Sequence, residues 1–243
     1  MGRPATPIEE IKPDIFAVGI GEHGIHLIGK MKDRNIIGLN YLDLPIHYSM
    51  QDIGVLVQTL AHAWIAIIVV DITERGTHEA LALLSGELKA LKQLQTLLLY
   101  TELSKPSSRG TVRDEPPLLK SQADLIFLFP YEINGERTGT VGDLDLLDKA
   151  SASDMLVYAV EDLLSSQYGE NRAGVDLADF FSLPATDDGI VVTGLGATVE
   201  AAFEATIRHS YLADINREDV RGIFYILCGG DEMTIRDLWQ LHE

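Results

Sequence analysis

Hydrophobic positions in the first half of the chain fall into short runs that are apolar throughout. Runs of this kind are typical of strands buried on both faces, as in parallel sheets. The third run opens with Trp64, which is expected to pack in the core. The predicted strands are IFAVGIG (15–21), IIGLN (36–40), WIAIIVV (64–70), LQTLLLY (94–100) and ADLIFLF (123–129).

Segments with helical spacing separate these runs. Helices are predicted from about Met50 to Ala61 and from His78 to Leu94, and a longer helix from about Asp145 to Tyr168. Strands that alternate with helices form βαβ units, which build a parallel sheet with helices on both faces. After a break at residues 169–174 the chain continues as a smaller set of strands and helices. The sequence therefore predicts a doubly wound α/β fold followed by a second, smaller α/β unit.

Charge and cysteine content narrow the partners and the compartment. The chain has 243 residues and a net charge of -18. Such a chain repels phosphate backbones and anionic lipids, so nucleic acid and direct membrane contact are not expected. Cys228 is the only cysteine, which excludes an internal disulfide and fits a reducing compartment. The first residues lack the apolar stretch of a signal peptide, so we expect a cytoplasmic protein.

A glycine motif joins the first predicted strand to a helix. Gly19, Gly21 and Gly24 have the G-x-G-x-x-G spacing that lets backbone N–H groups approach a phosphate at a helix N-terminus. The motif alone is a weak signal, because a tight strand-to-helix turn without a ligand has the same spacing. A dinucleotide site is a further alternative, with Asp43 as the ribose-binding acid. Against it, the second predicted strand ends at Asn40, which places Asp43 late.

Three segments in the last third of the chain resemble the FtsZ/tubulin superfamily, with the FtsZ proteins closest. They are GVDLADFF (174–181), VVTGLGATVEAAFEATIRHSYL (191–212) and VRGIFYILCGGDEMTIRDL (220–238), and they occur in the order of their counterparts in that family. The resemblance divides the chain into a nucleotide-binding α/β domain (11–144), a central helix (145–172) and a second α/β domain (173–243), which is shorter than its counterpart.

The resemblance also implies a function and partners. Members of the superfamily bind GTP, with Mg²⁺, between stacked subunits, and acids of one subunit complete the active site of the next. The expected partner is therefore another copy of the chain, or an intact FtsZ-like protein, through longitudinal contacts in a filament.

Site residues follow from the same resemblance, position by position. The phosphates of GTP or GDP would contact the two glycine loops, Arg113 lies in the Pro-rich loop, and Asp154 takes the position of a guanine-reading acid. Asp176 and Asp179 match the catalytic acids, and their i, i+3 spacing places both on one side of a helix. The complete set of candidate ligand-binding residues is Gly19, Gly21, Gly24, Gly76, Thr77, Arg113 and Asp154.

The chain departs from the family where phosphate should bind. Glu22 and His23 replace two glycines of the first loop, and only Gly76 and Thr77 remain of the second glycine signature. Asp71, Glu74 and Glu79 surround that second loop with negative charge. We therefore expect a divergent FtsZ-like cytoskeletal or cell-division-associated protein with weak or lost GTP binding and hydrolysis. A working GTPase with altered phosphate contacts is the alternative, and a Glu22 or Glu74 side chain folded into the cleft would favour the first.

Overall fold

A computed structural model describes residues 14–101, 123–128, 152–168, 189–190 and 196–207, with single positions at 181, 218, 220, 222 and 223. Its strands are β1 (Ile15–Ile20), β2 (Leu39–Leu44), β3 (Ile65–Asp71), β4 (Gln95–Thr101), β5 (Leu125–Leu128) and β6 (Gly189–Ile190). Its helices are α1 (Gly21–Arg34), α2 (Met50–Leu60), α3 (Thr77–Leu88), α4 (Ala152–Tyr168) and α5 (Val199–Ile207).

Within these ranges, six strands form one sheet in the order β2-β1-β3-β4-β5-β6, and every neighbouring pair is parallel. The parallel α/β class predicted from the sequence is therefore confirmed. The short strand β6 comes from the segment assigned to the second domain, and it extends the same sheet beside β5. The domain boundaries remain a prediction.

Both faces of the sheet are covered, as the continuous apolar runs predicted. In β3 the side chains of Ala66, Ile68 and Val70 pack toward α2 and α3. The alternating residues Ile67 and Val69 pack toward α1 and α4. The core thus consists of two layers separated by the sheet, and β1 and β3 are buried between them. None of the helices in the described part of the chain is long and apolar enough to cross a membrane.

The second strand was predicted in the wrong place. It begins at Leu39 and runs to Leu44, whereas the apolar pattern had placed it at residues 36–40. The cause is a turn between α1 and β2. Asn35 ends α1 with a φ of 53°, and Gly38 follows with a φ of 80°. Strand geometry therefore begins only after Gly38. As a result, Asp43 lies inside the strand and not after it.

Two further predictions were wrong. Helix α3 ends at Leu88 and not at Leu94, because the backbone N–H groups of Ala90 and Leu91 bond to carbonyls three residues back. Trp64 lies just before β3 and is 57% exposed, although it was expected in the core. Its backbone still extends the pairing at the start of β3, because its N–H donates to the carbonyl oxygen of Asp14, the residue before β1.

Candidate functional site

The first half of the candidate site is the junction between β1 and α1. No loop separates them: Ile20 ends the strand and Gly21, with a φ of 78°, begins the helix. The first N–H groups of any helix have no acceptor within the helix. Ile20 occupies the N-cap position, and its hydrocarbon side chain cannot supply one. The first turn of α1 therefore presents backbone donors that must be satisfied from elsewhere.

Two glycines of the motif are explained by close packing. A Cβ at Gly24 would lie 2.5 Å from the carbonyl oxygen of Val69 in β3. A Cβ at Gly19 would lie 2.6 Å from the carbonyl oxygen of Gly24 and 2.6 Å from Cγ1 of Ile28. These distances are far below van der Waals contact, so α1 can approach β1 and β3 this closely only because both positions lack a side chain.

The second half of the site is the loop between β3 and α3. Asp71 ends β3 and is buried, and its Oδ1 accepts bonds from the backbone N–H of Thr73 at 2.8 Å and from Thr73 Oγ1 at 2.6 Å. Thr77 Oγ1 lies 2.8 Å and 2.7 Å from the carbonyl oxygens of Asp71 and Glu74. Gly76, with a φ of 90°, turns the chain into α3. The loop is therefore fixed by its own polar groups.

The two halves meet through the side chain of Glu74. Its Oε1 accepts a hydrogen bond from the backbone N–H of Glu22 at 2.8 Å, and its Oε2 accepts one from the N–H of His23 at 3.3 Å. A Cβ at Gly21 would lie 2.5 Å from Glu74 Oε2 and 2.8 Å from Cγ2 of Thr77. The carboxylate of Glu74 therefore occupies the N-terminus of α1, where the glycine motif would place a phosphate.

An open cleft of about 410 Å³ adjoins this contact. Its lining contains three carboxylates and two imidazoles, so acidic side chains outnumber basic ones. Burial lowers the pKa of His23, while the carboxylates of Asp71 and Glu74 partly oppose that shift. The neighbouring His26 and Lys30 lower the pKa further. The lining residues are Glu22, His23, His26, Asp71, Thr73 and Glu74.

The structure brings together the two glycine loops that the sequence proposed separately. Gly19 lies in β1 one residue before its end, Gly21 and Gly24 lie in the first turn of α1, and Gly76 precedes Thr77, the first residue of α3, beside them. Glu22 or Glu74 folded into the cleft was to favour lost GTP binding; Glu74 does fold into it, whereas Glu22 is exposed.

Four other candidate residues were named from the sequence. Asp154 lies in the first turn of α4. Arg113, Asp176 and Asp179 lie outside the described residues. The assigned roles of all the candidate residues remain predictions.

The acid of the dinucleotide alternative is engaged in an ion pair. Asp43 lies opposite Gly19 in the register of β1 and β2, and therefore beside the glycine motif. The predicted strand end at Asn40 had placed Asp43 farther from that motif. However, Lys32 Nζ in α1 lies 3.1 Å from Asp43 Oδ2. A ribose hydroxyl would have to compete with this ammonium for the carboxylate.

Two of these features were not foreseen, and one of them could have been. An Asp side chain often accepts from the backbone N–H two residues on, as in an Asx turn, so the bond from the Thr73 N–H to Asp71 had a sequence signal. The ion pair of Arg34 in α1 with Glu161 in α4 had none, since 127 residues separate the two side chains. Arg34 also lies over the ring of Tyr158, 4.4 Å from its centroid, which fixes the C-terminal end of α1 against α4.

No protein-family model matches the sequence, and no curated protein matches it. Solved structures do match the fold. A single-substitution mutant of FtsZ from M. jannaschii has a TM-score of 0.63 at 16% identity, covering 82% of this chain and 71% of that one. An FtsZ dimer from M. jannaschii, described as empty, has a TM-score of 0.59 at 15% identity, covering 85% and 71%.

A third match is to a protein with a different name. The TubZ protein of the Clostridium botulinum phage c-st has a TM-score of 0.55 at 10% identity, covering 82% of this chain and 75% of that one. The chain therefore has an FtsZ/tubulin-like fold. This agrees with the resemblance read from the three C-terminal segments.

Proposed function

We propose that this chain is a divergent FtsZ/tubulin-like cytoskeletal or cell-division-associated protein in which GTP binding and hydrolysis are weak or lost. One observation carries the proposal. The carboxylate of Glu74 accepts hydrogen bonds from the N–H groups of Glu22 and His23, which are the donors a phosphate would need. The fold supports the general class, and this contact supports the loss of binding.

The first turn of α1, with the N–H groups of Glu22 and His23, is called the cradle below. The residues at the cradle do not fit a triphosphate. The space beside Gly21 is filled by Glu74 Oε2, and the buried carboxylate of Asp71 lies in the same cleft. Each lost N–H bond to a phosphate oxygen removes roughly 1.5–3 kcal/mol of binding free energy. The loss of two such bonds moves a micromolar site to roughly millimolar affinity. The proposed loss of affinity therefore needs no change elsewhere in the fold.

Titration calorimetry of the full chain with GTP and GDP, each with and without Mg²⁺, tests the proposal. We expect no saturable heat at micromolar nucleotide. An intact FtsZ-type protein titrated in the same buffer serves as the positive control. Micromolar binding by this chain would refute the proposal and favour the alternative of a working GTPase with altered phosphate contacts.

The proposed partner is a second copy of this chain or an intact FtsZ-like protein, bound through longitudinal contacts. FtsZ has been solved as a dimer, which supports association of this kind. If the acids Asp176 and Asp179 work across an interface, a chain with an impaired cradle could still supply them to a partner that binds GTP. We expect the chain to change GTP turnover and pelleting of an intact FtsZ from the same cell. The Asp176→Ala/Asp179→Ala double variant should lose that effect.

A further inference from the structure

We infer that Glu74 makes an autoinhibitory contact: its carboxylate is an anion supplied by the chain itself, and it keeps phosphate out of the cradle. The inference rests on the proposed function, since it assigns the loss of binding to one side chain. It predicts that phosphate is excluded because Glu74 occupies the cradle, and not because the backbone at the glycines has lost its phosphate-binding conformation.

Helix α1 begins with two backbone donors that need an acceptor. The N–H groups of Glu22 and His23 lie in its first turn, where the helix itself provides no acceptor. Each of these groups bonds to a different oxygen of the same carboxylate, at 2.8 Å and 3.3 Å. A carboxylate at a helix N-terminus is also favoured by the helix dipole. Glu74 thus satisfies both donors and complements the local positive potential, as a bound anion would.

The loop that carries Glu74 is fixed by hydrogen bonds. The Thr77 hydroxyl lies within hydrogen-bonding distance of the Glu74 carbonyl oxygen, and the Glu74 backbone N–H donates to the Asp71 carbonyl oxygen at 3.3 Å. Thr77 is fully buried. The backbone of Glu74 is therefore held by residues on both sides of it, so its side chain starts from a fixed point beside α1. This arrangement makes the contact intrinsic to the fold.

Negative charge in the cleft also opposes phosphate binding. A phosphate that entered the cradle would first have to displace the Glu74 carboxylate. It would then lie near the displaced carboxylate and near Glu22 and Asp71, which line the same cleft. Like charges this close oppose binding. Occupancy and charge therefore act in the same direction, and removal of Glu74 relieves both.

The test compares Glu74→Ala with wild type and with Glu87→Ala, a control acid that is exposed farther along α3. Hydrogen exchange at the amides of Glu22 and His23 is measured without ligand, and GTP binding is measured by calorimetry with Mg²⁺. In Glu74→Ala we expect both amides to exchange about tenfold faster or more, and GTP to bind about tenfold more tightly or more. The control should match wild type in both measurements.

Glu74→Gln keeps the shape of the side chain but removes its charge. It should fall between wild type and Glu74→Ala, and it replaces that variant if circular dichroism shows that Glu74→Ala does not fold. Unchanged exchange at Glu22 and His23 would overturn the inference. Faster exchange without tighter GTP binding would also overturn it, because Glu74 would then be only a helix cap. Micromolar binding by wild type would refute the proposed function, while the exchange data would still report separately on the contact.

Discussion

Two connections from strand to helix lie side by side and differ in how each helix begins. The first crossing is the junction between β1 and α1, and the second crossing is the loop between β3 and α3. The first has no loop and depends on Gly19, Gly21 and Gly24, which let backbones approach closely. The second is a loop rich in side-chain oxygens, built on Asp71 and Thr77. The first crossing therefore offers backbone donors that the helix itself does not satisfy, and the second supplies the Glu74 carboxylate that accepts from them. Their difference teaches that a phosphate-binding shape can be completed from within the protein.

The largest expected effect comes from breaking the first crossing. Gly24→Ala places a Cβ against the Val69 carbonyl oxygen, and backbone atoms cannot yield cheaply, so we expect a loss of about 1–3 kcal/mol in the free energy of unfolding. Gly29→Ala in the same helix is the matched control, since its Cβ meets nothing within 4 Å. It should gain about 0.5–1 kcal/mol through helix propensity. Urea unfolding measures both, and equal effects would disprove the packing explanation for Gly24.

A smaller effect is expected from the second crossing. Thr77→Val keeps the shape of the side chain but removes the hydroxyl shared by the carbonyls of Asp71 and Glu74. We expect a loss of about 1 kcal/mol, because a net hydrogen bond is worth about that much and both carbonyls keep another donor.

Thr59→Val is the control for this change. The Thr59 hydroxyl donates to the Val55 carbonyl within α2, away from the site, and it is not fully buried. Chemical denaturation of both variants should show a clear loss only for Thr77→Val. Equal stabilities would mean that the hydroxyl does not hold the loop.

Titration of His23 sharpens the comparison, because this side chain lies where the two crossings meet. Burial lowers its pKa below the ordinary 6.5, so the folded state prefers the neutral imidazole. As pH falls below about 6.5, the unfolded chain takes up the proton first, and the folded state loses stability until the folded pKa is passed. His23→Gln should therefore lose less stability than wild type between about pH 7.5 and pH 5. Melting curves that shift in parallel across that range would contradict this expectation.

The smallest expected effect is none at all, and it concerns a dinucleotide at the first crossing. Asp43 is paired with Lys32, and Glu74 fills the N-terminus of α1. We therefore predict that NAD does not raise the melting temperature. A rise that disappears in Asp43→Ala would show that the first crossing holds a dinucleotide after all.

Much of the sheet could be predicted because its strands are apolar on both faces. For β3 the predicted and observed bounds differ by one residue at each end. For β2 the pattern failed, since Ile36 and Ile37 are apolar but belong to a turn, and Ile37 is 69% exposed. Gly38 was the local sign of that turn, but hydrophobicity outweighed it in the prediction. Apolar pattern alone therefore locates buried strands well and partly exposed ones poorly.

The candidate site was predicted in its parts and not in its geometry. The glycines and the acidic loop could be read from the sequence because each is a local pattern. Glu74 is 52 and 51 residues away along the chain from Glu22 and His23. Its carboxylate reaches their N–H groups because β1 pairs with β3. A single sequence can indicate that such an acid is a candidate, but only the sheet register determines which one reaches the cradle.

Glu74 belongs to the same polypeptide as the N–H groups that it accepts from, and this has a consequence for signalling. How far a free nucleotide fills a site depends on its concentration in the cell, whereas a group in the same chain has an effective concentration that the chain itself sets. Under the proposed function, nucleotide supply would therefore not change the state of α1. Such a protein would keep the same α1 conformation whether nucleotide is scarce or abundant.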